Sequence, residues 1–415
     1  MRKRIILFTH IPTRDNVTDQ ILVQRLRKNH DVYMWSFLNN PKEKVVFLKP
    51  HLIIVPEIRC EFARDFVRDV HEMGVQIVIR RGERGHSRET KWREDFNAAA
   101  FGNYPIYDYI DLDLVWGERF KEMLMKYHKQ PESKFAVTGA FLDQYINNNL
   151  TPIKNTKPHI LFVGGFGYAA GDRVFSLPEA LQGQGVHKYM VERDIKGQAE
   201  FIRLMKLIVV DFDAHCIVRP HPGERLDNYK EVFGDKVEYC KPEPAIITLN
   251  RSDIVIHSGS TIGYEAHLMG MPGFNYKNSC EDVVIGRIHK IYQDAYKLCA
   301  DLKKVKLGQS NANQKAVDYL EKHYQGKPDG KACVRAVAVI NSLPDLPEPN
   351  VPELDKWPKI NNKHFNYESD GVLEDVGQWA CAMCKNIFFT TSKRNLVKCP
   401  YCGVICVKYR GEKKQ

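Results

Sequence analysis

No part of the chain is apolar for long. Of its 415 residues 43% are apolar, yet no stretch approaches the roughly 20 consecutive apolar residues that a membrane-crossing helix needs. The N-terminal "MRKRIILFTHIPTRD" opens on cations, but its apolar run from Ile5 to Phe8 stops at Thr9 and His10, too short for the core of a secretory signal. The expectation is a cytoplasmic protein. A disulfide framework is lacking too: Cys60, Cys216, Cys240, Cys280, Cys299 and Cys333 stand alone, several inside apolar strand-like runs, and read as reduced thiols. Acidic residues fall short of basic ones, 51 against 61, leaving a net charge of +10. That balance suits a partner bearing phosphates, whether nucleotide, nucleic acid or an anionic membrane surface, and does not choose among them.

What is present is an alternation. "RIILF", "DVYMWSF", "HLIIVP" and "VQIVIRRGERGHS" are short Val/Ile-rich segments, and amphipathic stretches such as "EFARDFVRDVHEMG" separate them. That order predicts a parallel sheet covered by helices. "DLDLVWG", "ERFKEMLMKYH" and "KFAVTG" continue the series, giving a first Rossmann-like domain over 1–150 that ends at the polar linker "NNNLTPIKNTKP". A second doubly wound α/β domain is predicted over 151–343, from "HILFVGGFGYAAGD" through "HCIVRPHP" and "DIVIHSGS" to "GFNY". Residues 344–376 are proline-rich and acidic, an extended connector or a strap over the second domain. A separate tail occupies 377–415.

In an open α/β sheet ligands bind beyond the carboxyl ends of the strands, so the residues that follow each strand of the second domain are the candidates. After "HILFV" come Gly164, Gly165, Gly167 and Gly171, where the backbone approaches a ligand closely, or simply makes a tight turn. After "CIV" comes Arg219-Pro220-His221-Pro222. The two prolines stiffen the turn, so His221 is presented rather than buried, and Arg219 offers a fork for a phosphate. After "DIVIH" come Ser258, Gly259, Ser260 and Thr261, at a strand-to-helix turn that suits an anion and equally suits a helix cap. Glu265 lies one turn into that helix, placed to accept from ribose hydroxyls. Together these describe a nucleotide mono- or diphosphate held at both ends.

Three segments carry a family likeness: "WGERFKEMLMKYHKQPESKFAVTGAFLD" (116–143), "RPHPGE" (219–224) and "SDIVIHSGSTIGYEAHLMGMPGF" (252–274). They resemble the bacterial surface-carbohydrate biosynthesis glycosyltransferases of GT-B fold, akin to Kdo transferases, polysialyltransferases and CDP-glycerol glycerophosphotransferases. The resemblance spans about residues 50 to 290. It implies two Rossmann-like domains facing a cleft, a nucleotide-sugar donor and transfer to a glycan. Carried over, it places His221, with Ser258, Ser260 and Thr261, on the donor phosphate and Glu265 on the ribose. The pattern here is "HSGST" rather than a bare Ser-Ser or Ser-Thr, so which hydroxyl plays the part stays open.

Inverting transfer needs a base across the cleft. The first domain offers "THIPTRDN" with His10 and Asp15, "PE" with Glu57, and "RRGERGHSRE" with Arg80, Arg81, Glu83, Arg84 and His86. Glu83 is the first choice for base and Asp15 the second. Arg81 and His86 are expected to bind substrate, because arginines gathered beyond a strand end are costly without an anion to join them. A solvated, charge-balanced loop is the alternative. Asp111 and Asp113 match the letters of an Asp-x-Asp metal motif but open an apolar strand, and no catalytic metal is expected.

The tail carries Cys381 and Cys384, then Cys399 and Cys402, two CxxC pairs at zinc-ribbon spacing, with Cys406 spare. About 35 residues build too small a core, so bound zinc would supply the folding energy. Its lysines, arginines and aromatics suit a nucleic-acid backbone as well as a docking or stabilising role. Three rivals follow: transfer to nucleic-acid bases, as in phage-type enzymes; a GT-B nucleotide-sugar 2-epimerase; and a non-catalytic nucleic-acid-binding protein.

Overall fold

The structure is a computed structural model. It describes residues 1–9, 12–37, 40–56, 58, 61–81, 106–147, 155–167, 169, 186–221, 224–240, 243–277, 287–357, 377–380, 387–390, 396–398 and 405–407. Contacts divide the chain into two units, Met1–Leu354 and Asp355–Gln415.

Two six-stranded sheets make the first unit. The first takes β1 (Arg4–Thr9), β2 (Asp31–Ser36), β3 (Leu52–Val55), β4 (Gln76–Arg80), β5 (Leu112–Val115) and β6 (Phe135–Val137) in the order β2-β1-β3-β4-β5-β6. Every pairing is parallel. Strands β3, β4 and β5 are buried at every position, so β3 and the centre of β4 read as unbroken apolar runs and the charged residues among them, Arg80 and Asp113, are paired internally. Helices α1 (Pro12–Leu26), α2 (Pro41–Leu48), α3 (Glu61–Glu72) and α4 (Glu118–His128) make the crossovers, and the short α5 (Asp143–Ile146) follows β6.

The second sheet holds β7 (His159–Val163), β8 (His215–Arg219), β9 (Glu238–Tyr239), β10 (Ile254–His257), β11 (Gly273–Tyr276) and β12 (Ile291–Tyr292). Its order, β12-β11-β10-β7-β8-β9, is the dinucleotide-fold order, with the chain reversing direction between β7 and β10. Again all pairs are parallel. Alternate side chains build two cores. One face sets Ile160, Phe162, Val218 and Ile256 against Phe201, Leu204 and Ile208 of α6 (Val186–Asp211) and against Tyr229 of α7 (Asp227–Phe233). The other sets Leu161, Val163, Ile217 and Val255 against α8 (Ala245–Asn250) and α9 (Ile262–Leu268).

After α10 (Ala295–Leu302) and α11 (Gln314–Leu320) the chain makes a π-helical turn, Glu321–Gln325, and then α12 (Ala332–Asn341) packs along α1 of the first domain. The proline-rich segment corrects the expected strap: residues 343–350 lie on the first domain, not the second. Lys3, only 3% exposed, donates from Nζ to the carbonyls of Leu343 and Pro344, and Asp345 pairs with the amino terminus. Glu348 meets Arg4 and His51, and the Asn350 N–H donates to Met73. The acidic segment thus meets the cations Lys3 and Arg4 at the start of β1, with the buried Lys3 making its backbone contacts.

In the second unit, β13 (Gly377–Ala380) pairs antiparallel with β14 (Ile387–Thr390), and β15 (Leu396–Lys398) with β16 (Ile405–Val407).

Candidate nucleotide-phosphate site

Register places the candidates side by side. Arg219 pairs with Val163, Val163 with His257 and His257 with Asn275, so one row crosses the carboxyl ends of β8, β7, β10 and β11. The loops that follow three of these strands therefore start about 5 Å apart, at the point where the strand order reverses.

The loops interlock through glycine. A Cβ on Gly165 would stand 2.5 Å from the Ser258 carbonyl oxygen, and one on Gly167 would stand 3.1 Å from His221 Cε1. The first approach, against backbone, needs a bare Cα, and at Gly167 a methyl would press on the imidazole and require it to give by a few tenths of an ångström. Gly259 adopts φ +69°, a left-handed turn, and its N–H donates to Oδ1 of the fully buried Asn275 at 3.1 Å. Loop β7, the His-Pro turn and the serine turn thus form one continuous surface with the half-buried His221 in its wall.

The structure also sorts the three hydroxyls. Ser258 is buried and its Oγ donates to the Lys277 carbonyl at 3.4 Å. The Ser260 Oγ accepts from the Ile262 N–H at 3.3 Å, a cap-like use that keeps its own proton available. Thr261 is half-exposed and has no side-chain partner among the described residues. Glu265 is buried at 8% exposure, one turn further along α9.

Two arginines are placed elsewhere. Arg219 donates from Nη1 to Thr248 Oγ1 at 3.0 Å and from Nη2 to the Glu243 carbonyl at 2.7 Å, so it braces α8 rather than reaching forward as a phosphate fork. Arg81, expected to bind substrate, is 2% exposed and grips Asp113 from Nε and Nη2, at 3.0 and 2.5 Å, beside the Tyr107 hydroxyl. Arg80 pairs likewise with the buried Asp19 at 2.5 Å. The anions that hold this arginine cluster together are internal aspartates. Asp111 accepts from the Ile77 N–H at 2.7 Å, so both aspartates of the Asp-x-Asp letters have structural partners.

Asp15 belongs to α1 by its backbone, two residues before Val17, which packs on the second sheet's core. The Asp15 side chain, His10, Glu57, Glu83, His86, Gly171, and all four tail cysteines, Cys381, Cys384, Cys399 and Cys402, lie outside the described residues.

Several residues that matter were missed from sequence. Glu224 closes the "RPHPGE" motif and lies under the glycine loop. Asn275, a polar residue inside the buried strand "GFNY", holds the serine turn. His257 meets His289 through Nε2 and Nδ1 at 3.0 Å, both fully buried. Burial pushes His257 down to about 3 and His289 well below the ordinary histidine value, so both are neutral at pH 7. A Cβ on Gly263 would stand 2.5 Å from His257 Nε2, which fixes how closely α9 sits on the pair. A polar residue breaking an otherwise apolar strand was the signal available for Asn275 and His257.

No family model and no curated protein matches the chain. Solved structures do. A putative UDP-N-acetylglucosamine 2-epimerase from Listeria monocytogenes is 14% identical, with a TM-score of 0.53 over 82% of this chain and 96% of that one. The UDP co-structure of S. aureus MnaA is 12% identical, with a TM-score of 0.51 over 84% and 100%. The UDP-GlcNAc 2-epimerase from Methanocaldococcus jannaschii is 12% identical, with a TM-score of 0.51 over 82% and 99%. What is shared at these identities is the fold, the two parallel-sheet α/β domains of GT-B enzymes. No helix among the described residues is long and apolar enough to cross a membrane.

Proposed function

We propose that the chain is a glycosyltransferase that moves a sugar from a nucleotide-sugar donor to a hydroxyl acceptor. The observation that carries this is the junction of three loops, Gly165–Gly167, His221 and Ser260–Thr261, where the strand order of the second sheet reverses. A donor diphosphate fits that wall, with His221 and the Ser260 and Thr261 hydroxyls as donors to its oxygens and Glu265 toward the ribose. The acceptor oxygen attacks the anomeric carbon and loses its proton to a first-domain carboxylate, Glu83 or Asp15, with His86 to orient it. The bond from anomeric carbon to phosphate oxygen breaks, and the nucleoside diphosphate leaves with its added charge steadied by His221.

A second reading, a nucleotide-sugar 2-epimerase, is favoured by one observation: the fold matches quoted above are, by their names, largely such enzymes. Product analysis separates the two. An epimerase converts UDP-N-acetylglucosamine with no acceptor present, and a transferase consumes donor only when an acceptor is added. His221→Ala and Glu265→Ala are expected to weaken nucleotide binding about tenfold or more in isothermal titration with UDP and CDP. Transfer unharmed by both substitutions overturns the site.

For the tail we infer a zinc ribbon. Ala380 pairs with Ile387 and Lys398 with Ile405, so each hairpin encloses one CxxC pair, Cys381 with Cys384 and Cys399 with Cys402. Metal analysis of the purified chain tests it: one zinc per chain, lost when Cys381 and Cys384 are replaced by serine.

A further inference from the structure

Past the Gly164 N–H, which donates to the Arg219 carbonyl at 3.0 Å, the glycine loop leaves the sheet, yet a fixed phosphate wall requires it to hold one shape. The Phe166 ring anchors it from below, 5.7 Å from the Phe201 ring and tight against Gly197 of α6. The other anchor is polar. The Phe166 N–H donates to Glu224 Oε1 at 2.8 Å, and the Glu224 N–H donates to the His221 carbonyl at 2.8 Å. One residue therefore ties the glycine loop to the histidine turn.

Its carboxylate is itself held. Tyr229, fully buried, donates its hydroxyl to Oε2 at 2.5 Å, and Gln198 Nε2 donates to the same oxygen at 3.4 Å. Asn228 in turn fixes Gln198 at 2.8 Å. Gly164 has no Cβ for the same reason, since one there would collide with the carboxylate.

We propose that Glu224 is the positioning residue of the phosphate site, clamping the Gly164–Gly167 backbone against the His221 turn so that amide and imidazole donors face one anionic group. It touches no ligand itself. The proposal rests on the nucleotide reading above for the identity of that anion, a nucleoside diphosphate, and not for the clamp. Half-buried, with both carboxylate oxygens engaged by Phe166, Tyr229 and Gln198, Glu224 can orient the loop with its charge already taken up by its own donors.

The test uses the full chain, UDP and CDP as titrants, and amide hydrogen exchange at Phe166. Glu224→Asp draws the carboxylate back by about 1.5 Å, one carbon–carbon bond, so that it cannot reach Phe166 and Tyr229 together. The expected result is a 10- to 100-fold loss of nucleotide affinity, about the worth of one charged hydrogen bond, with faster exchange at Phe166. Glu224→Gln keeps the reach and one acceptor, and is expected to recover most of that loss. Leu302→Ala, in the same domain's core on α10, serves as the stability control: its unfolding midpoint falls while affinity stays within about twofold. Equal affinity in wild type and Glu224→Asp overturns the positioning role. Should wild type bind neither nucleotide, the nucleotide reading fails, and Phe166 exchange decides the clamp: faster exchange in Glu224→Asp supports it, unchanged exchange overturns it.

Discussion

Burying a guanidinium is tolerable only where a carboxylate meets it in the same cavity, and Arg81 shows how completely this can be met. Its fork on Asp113, the Tyr107 hydroxyl donating to Asp113 at 2.9 Å and the Phe120 ring 5.1 Å from its centre leave little for solvent. Removing one partner strands the other charge. Arg81→Ala is expected to cost about 3–5 kcal/mol in urea unfolding, while the double change Arg81→Met with Asp113→Leu costs far less. Nucleotide affinity should survive the double change, because neither residue lies in the loops of the second sheet. The sequence displayed the arginines but not their partners, since Asp19 and Asp113 come from other elements and no local pattern pairs them. The opposite holds at Gly165 and Gly167, whose close approach to the serine and histidine turns was visible as a glycine-rich loop. Gly167→Ala pushes a methyl against His221 and should lower UDP affinity about tenfold with only a small shift in the unfolding midpoint.

At the level of elements, the joint between the two sheets is made of backbone. A Cβ on Gly117, which follows β5, would stand 2.6 Å from the His323 carbonyl oxygen, and one on Gly326 would stand 2.7 Å from that of Trp116. Between these contacts the π-helical turn sends the Gln325 carbonyl to accept from the Ala140 N–H at 2.6 Å. The turn is joined to α9, the helix after the serine turn, by the Tyr264 hydroxyl donating to Glu321 at 2.9 Å. Burial holds the Glu321 carboxyl above its ordinary value, so that bond links a partly desolvated acid to a buried phenol. Tyr264→Phe is expected to lower stability by about 1 kcal/mol, read from the thermal midpoint, and Gly117→Ala by about 1–3 kcal/mol through overpacking. The strands and most helices were legible because short buried runs alternate with amphipathic ones. The return of α12 and the strap at 343–350 were not. Lys3 and Leu343 meet across 340 residues, and an acidic segment meeting a cationic sheet edge leaves no periodic mark in either stretch.

For the whole molecule the decisive variable is pH. Native His257 sits at about 3 and His128, packed on Tyr107 in the first domain, at about 4, both driven down chiefly by burial. His289 is held well below its ordinary value, chiefly by the same burial, and His267 is lowered as well. Unfolded, each returns to about 6.5 and takes up a proton that the native chain refuses. Their contribution is therefore fully present above pH 6.5 and is lost as pH falls toward the folded values, by about 1.4 kcal/mol per unit of pH for each histidine. Glu224, Asp143 and Glu321 act in the opposite sense, being held above their ordinary values by burial, so the wild-type slope is a net one. A difference isolates the histidine pair. Urea unfolding of wild type and His257→Asn at pH 7, 6 and 5 should show wild-type stability falling as acid is added. Between pH 6 and 5 that fall should be shallower in the variant by about one proton equivalent, because position 257 no longer titrates in the unfolded chain. Identical slopes would mean that the buried imidazoles do not set the acid sensitivity. The carboxylates that secure the strap, Asp345 and Glu348, are held below their ordinary values by their partners, so their contribution is lost only at lower pH and does not enter that comparison.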